Sequence, residues 1–187
     1  MRMKNTQFVL DKLERFGDRI LNVEPEQLLA AVKLVSSISE SGGQLFVVGN
    51  GGSAAIASHV TIDLTKAAGV RASNFNDASL LTCFSNDYGY EWWVEKALEA
   101  HATDRDLLIL ISSSGQSENI LNGAKYANEN NIPLITFSGF STDNPLKRLG
   151  KINFWVNDTQ YNIVELTHHA WLLAIIDSLV CTVDSPD

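Results

Sequence analysis

Apolar positions along the chain change their period several times, and each change marks a predicted element. From Asn5 to Val23 they recur at helical spacing through Phe8, Leu10, Leu13, Phe16 and Ile20. From Pro25 to Glu40 they do so through Leu28, Leu29, Val32, Val35 and Ile38. Pro25 suits a first helical turn, where the missing N–H has no intrahelical acceptor. The pattern then tightens into the unbroken run Leu45-Phe46-Val47-Val48, which predicts a strand. A helix from about Ser53 to Ala67 follows, then a short segment near Arg71 to Phe75 and helices near Ala78 to Ser85 and Glu91 to Ala100. A strand over 107–111, a helix over about 117–130, a strand from Leu134 to Phe137, a last strand from Ile152 to Val156 and a long helix from Asn162 to Val183 complete the order.

Strands separated by helices predict an α/β fold, a doubly wound, mostly parallel sheet with helices on both faces. In such sheets ligands bind at the carboxyl ends of the strands. With no internal repeat, low-complexity tract or long linker, residues 1–187 read as a single domain. Within it, 1–42 form an N-terminal helical part and 43–187 an α/β sandwich. The two leading helices either cap their own domain or pack against another subunit.

Composition narrows the function classes. A length of 187 residues with 45% hydrophobic content suits one sizeable core. The net charge of -8 argues against nonspecific nucleic-acid binding, which needs Lys and Arg to displace counterions from phosphates. No apolar run suggests a bilayer span and the first residues lack a signal-peptide core, so a cytoplasmic protein without membrane contact is expected. Cys83 and Cys181 lie far apart and show no metal-binding spacing. Cys83, in Leu80-Leu81-Thr82-Cys83-Phe84, is expected to be a small core residue.

Two loops rich in small residues carry the candidate chemistry. Gly49-Asn50-Gly51-Gly52-Ser53 and Ser112-Ser113-Ser114-Gly115-Gln116-Ser117 each follow an apolar strand and open a helix. Such turns leave backbone N–H groups unpaired at the positive end of a helix dipole, and serine hydroxyls add donors that suit phosphate oxygens. Neither loop has the Walker or the dinucleotide pattern, which points to a smaller phosphorylated ligand. His59 and Asp63, four apart on the helix after the first loop, share a face. On the final helix Glu165 is followed by His168 and His169.

Ser112-x-Ser114-Gly115-x-Ser117, taken with Gly49-Asn50-Gly51-Gly52-Ser53, His59 and Asn86-Asp87-Tyr88-Gly89-Tyr90, resembles the sugar isomerase (SIS) domain family, in its phosphoheptose isomerase branch. The resemblance implies an SIS-type fold with N-terminal helices used for oligomerisation, commonly in a homotetramer. It also implies an aldose–ketose isomerase acting on a phosphorylated sugar through an enediol, sedoheptulose 7-phosphate first among substrates, with its product leading to surface-polysaccharide heptose. Substrate and phosphate would be bound by Asn50, Gly51, Gly52, Ser53, Asp87, Ser112, Ser113, Ser114 and Ser117. Glu165, His168, Asp63 and His59 would carry the acid–base chemistry, with His168 preferred to His169. Another branch of the family serves as a tetrameric partner of the bacterial replication initiator, so a noncatalytic module that senses a sugar phosphate or binds a protein is the alternative.

Departures from the family pattern bear on the chemistry. Asp63 stands where the family has glutamate, and Gln116 where it often has asparagine. Leu173 lies five residues beyond His168, where the family carries a second histidine. In the family that second histidine, the early histidine and glutamate, and a glutamine on the final helix surround the reactive carbons and can hold zinc, so the loss favours a metal-free site here. A zinc-bound alternative would use His59, Asp63, Glu165 and His168. Asp63 pairing with Lys66, and Glu165 as an ordinary first-turn carboxylate, are the plainer roles for those two residues.

Overall fold

A computed structural model describes residues 2–183, with side chains over 6–181. Helices α1 (Arg2–Leu21) and α2 (Pro25–Glu40) lead into β1 (Leu45–Gly49), α3 (Gly52–Lys66) and the two-residue β2 (Ala72–Ser73). Helices α4 (Ala78–Tyr88) and α5 (Trp93–His101) precede β3 (Leu107–Ser112), α6 (Glu118–Glu129) and β4 (Leu134–Ser138). A short 3-10 turn (Leu146–Arg148), β5 (Ile152–Trp155) and α7 (Tyr161–Val183) follow. All strand pairings are parallel, in the order β2-β1-β3-β4-β5.

Alternation along the strands divides the interior into two layers. Leu45 and Val47 of β1 and Leu107, Ile109 and Ile111 of β3 face the layer covered by α2, α3 and α7. Phe46, Val48, Leu108 and Leu110 face the layer covered by α5 and α6. The expected doubly wound α/β sheet is therefore the observed one. Because both faces of the central strands are buried, β1 and β3 read as unbroken apolar runs.

Local sequence explains most element ends. The Asp77 carboxylate caps α4 by accepting from the amides of Ser79 and Leu80, both at 2.9 Å. The helix runs on to Tyr88 and stops at Gly89, which has φ +97°. Cys83, expected in the core, is exposed, because α4 lies at the surface and turns only Leu80, Leu81 and Phe84 toward the sheet. Trp93 is fully buried, whereas its neighbour Trp92 is 40% exposed.

Helix α7 amends the expectation about bilayer spans, since Tyr161–Cys181 is by length and composition apolar enough to cross a membrane. Half of that stretch is buried within the fold, with Val164, Leu172, Ile175 and Ile176 in the core. Its start is fixed by polar contacts. Arg15 and Arg19 of α1 converge on the buried carboxylate of Asp158, at 2.7 and 3.3 Å. Burial alone would raise the Asp158 pKa, but the Gln160 amide and the two guanidinium groups outweigh it and hold it below the usual carboxylate range. The indole N–H of Trp171 donates to the Ile20 carbonyl at 2.8 Å, tying α7 to α1 a second time.

Candidate functional site

The two loops end β1 and β3, adjacent strands, and so meet at the carboxyl edge of the sheet. Between them lies a cleft of about 280 Å³. Asn50, Gly51, Gly52 and Ser53 line it from the first loop, Ser112, Ser113, Ser114 and Ser117 from the second, and Tyr161 and Glu165 from α7. Gly51, with φ +53°, provides the left-handed turn that lets α3 start immediately after the strand. Gly115, at φ +65°, turns the chain within the serine loop between β3 and α6. The Ser112 hydroxyl donates to Ser117 Oγ at 3.3 Å, and the Gln116 amide donates to Ser114 Oγ at 3.2 Å. First-turn amides of α3 and α6 complete a concave surface rich in donors.

Asn50 is held in place by a residue that sequence reasoning missed. Its side-chain amide and that of the buried Asn119 pair reciprocally, each Nδ2 donating to the other's Oδ1 at 2.9 Å. The Tyr90 hydroxyl donates to the same Asn50 oxygen at 3.0 Å. Tyr161 was missed as well. Long-range pairing leaves no local pattern, and the only signal available was the polarity of Asn119 at a helix position otherwise set to be buried.

Glu165 enters the cleft against the first loop. Its carboxylate packs so closely on Gly52 that a Cβ there would stand 2.3 Å from Oε2. Burial pushes the Glu165 carboxyl above the ordinary glutamate range. The buried Ser113 hydroxyl, which has no hydrogen-bond partner of ordinary geometry among the described residues, lies close enough to pull it partly back. A partly desolvated carboxylate beside a donor-rich cradle can act as a base toward a carbon-bound proton.

The two adjacent histidines of α7 have opposite environments. His168, the preferred candidate, is fully buried, its Nε2 bonded to the Ser138 carbonyl at 2.9 Å and its ring edge-on to Phe137. Burial drives its pKa down to about 4, partly opposed by the Ser138 bond. It belongs to the core and does not line the cleft, because it sits about 100° around the helix from its neighbour. His169 instead meets His59, with Nε2 2.8 Å from His59 Nδ1. His59 Nε2 in turn lies 3.1 Å from Asp63 Oδ2. His169 shares a groove with Glu165 and Gly52, and these last two also line the cleft. Burial lowers the His169 pKa, as does the His59 ring, while Asp63 acts the other way.

Other expected site residues fall elsewhere. Asp87 ends α4 at the surface, accepting from the Asn86 side chain at 3.0 Å and from Cys83 Sγ at 3.7 Å, and does not line the cleft. Leu173, at the position of the second family histidine, packs against the apolar core. The zinc-ligand set His59, Asp63, Glu165 and His168 is not brought together, since His168 is turned into the core and its Nε2 is committed to Ser138. Among the described residues no three His, Cys, Asp or Glu stand where they could hold a metal ion.

A family model described as the SIS domain matches residues 9–139. The phosphoheptose isomerase of Proteus mirabilis is 37% identical over 134 residues, 69% of this chain and 69% of that one. The phosphoheptose isomerase of Syntrophotalea carbinolica is 28% identical over 179 residues, 92% of this chain and 91% of that one. Among solved structures, the phosphoheptose isomerase of Neisseria gonorrhoeae has a TM-score of 0.87 at 24% identity, covering 96% of this chain and 98% of that one, a likeness of fold.

Proposed function

The chain belongs to the SIS domain family and, within it, to the phosphoheptose isomerases, and on that footing we propose that it interconverts sedoheptulose 7-phosphate and an aldose heptose phosphate through an enediol. The observation that carries this reading is the Glu165 carboxylate pressed against Gly52 on the wall of the two-loop cradle. Loop hydroxyls and helix-end amides hold the phosphate. Glu165 takes the proton from C1 of the ketose and returns it to C2, and its raised pKa suits a base that must also give the proton back. No step runs through a metal.

Phe8, Leu10 and Leu13, each more than half exposed on α1, support self-association through this helix, as a homotetramer. The reading places the enzyme in the cytoplasm, with neither nucleic acid nor membrane as partner. Product would feed heptose into a surface polysaccharide.

Proton NMR of sedoheptulose 7-phosphate in D2O tests the activity. Deuterium entering beside the carbonyl together with an aldose signal is the expected result. A second reading, a noncatalytic module that binds a sugar phosphate or a protein, draws on Leu173 and the core position of His168. It predicts binding with neither exchange nor product.

A further inference from the structure

Isomerisation moves two protons, and Glu165 accounts for only the carbon-bound one. When C1 loses its proton the electron pair forms C1=C2, and the C2 carbonyl oxygen must gain a proton. When the enediol collapses, the O1 hydroxyl gives up its proton and C1=O forms as C2 gains the proton that Glu165 took from C1. A second group must therefore deliver a proton to O2 and collect one from O1, with no net gain or loss.

We propose that His169 is this second catalytic group, held and oriented by His59 and Asp63 as a three-residue relay. The assignment rests on the isomerase reading and adds a residue to it. The hydrogen-bond chemistry sets the tautomers. A carboxylate oxygen only accepts, so His59 Nε2, 3.1 Å from Asp63, carries a proton and donates it. In the neutral ring this makes His59 Nδ1 an acceptor, and His169 Nε2, 2.8 Å away, donates to it. His169 Nδ1 is then a lone pair, so it first takes the O1 hydroxyl proton of the enediolate and then gives that proton to O2, and the ring begins and ends the cycle neutral. Positive charge arising on His169 is shared along a line that ends on the Asp63 carboxylate.

Position supports the same assignment. Glu165 and His169 are four residues apart on α7, hence on one face, and both line a groove that shares Gly52 and Glu165 with the cleft. His168, one residue earlier, is sealed in the core.

The test compares wild type with His169→Asn, His169→Ala, His59→Asn and Asp63→Asn on sedoheptulose 7-phosphate, each variant first shown to be folded by its melting curve. Expected for His169→Asn is a fall in kcat of about 10²–10⁴-fold with KM little changed. Free imidazole should restore at least about tenfold of the lost rate to His169→Ala, a response that a packing role would not give. His59→Asn and Asp63→Asn should each lower kcat by at least about tenfold, through loss of the required tautomer. Undiminished turnover in folded His169→Asn, or failure of imidazole to rescue His169→Ala, overturns the relay while wild-type turnover leaves the isomerase reading intact. Absence of turnover in wild type overturns both.

Discussion

Replacing Gly52 with Ala separates the site from the fold that carries it. Of the adjacent glycines only Gly51 has a positive φ, so the backbone at Gly52 accepts a side chain. The new Cβ would meet Glu165 Oε2 at 2.3 Å, Cδ at 2.7 Å and Oε1 at 2.8 Å, contacts that real Cβ atoms do not make. Those atoms are the end of a flexible side chain, so the carboxylate retreats and the helix stays. A retreat to ordinary contact is roughly 1 Å, and a misplacement of that size costs about 100-fold in rate, equivalent to about 3 kcal/mol of transition-state stabilisation. Stability moves the other way, because a glycine replaced at a compatible helical position gains about 0.5 kcal/mol from the unfolded state. The assay pairs kcat/KM for ketose turnover with a thermal melt. Lost activity with an unchanged or raised melting temperature is expected; a Gly52→Ala enzyme with wild-type kcat/KM would refute the placement of Glu165 as the base.

Two further predictions concern stability. His168 is buried neutral with its pKa lowered to about 4, against an unfolded value of 6.5. The unfolded chain thus binds the extra proton first, stability is fully present above pH 6.5, and about 3 kcal/mol is lost as the pH falls to 4. Urea unfolding at pH 7 and pH 4.5 should show the loss, and a His168→Gln variant should show less of it. Gly115→Ala combines a left-handed φ of +65° with a Cβ 2.0 Å from the Asn144 side chain, which is buried and hydrogen-bonded. Unfolding free energy should drop by at least about 2 kcal/mol in a chemical melt.

The strands were legible because a sheet covered on both faces demands continuous apolar runs, and Leu45 to Val48 or Leu107 to Ile111 have few other readings. Both small-residue loops were legible from glycine and serine following such runs. Boundaries were less so: α4 continues to Tyr88 because Gly89 ends it, and this moves Asp87 from a loop onto an exposed helix end. The choice between His168 and His169 could not be read, since α7 is apolar on most sides and its periodicity does not say which side faces α3. Only the packing of α7 on β4 and α3 separates a core histidine bonded to Ser138 from one that touches His59. The Asn50–Asn119 pair joins residues 69 positions apart, beyond any local pattern.

Deuterium exchange in sedoheptulose 7-phosphate, followed by NMR with wild type and Glu165→Gln side by side, tests the central claim most directly. Wild type should show wash-in and aldose product. Glu165→Gln should lose both by about 10²–10⁴-fold while sugar-phosphate affinity is retained, because the cradle is untouched. Exchange in the glutamine variant at the wild-type rate would contradict that claim.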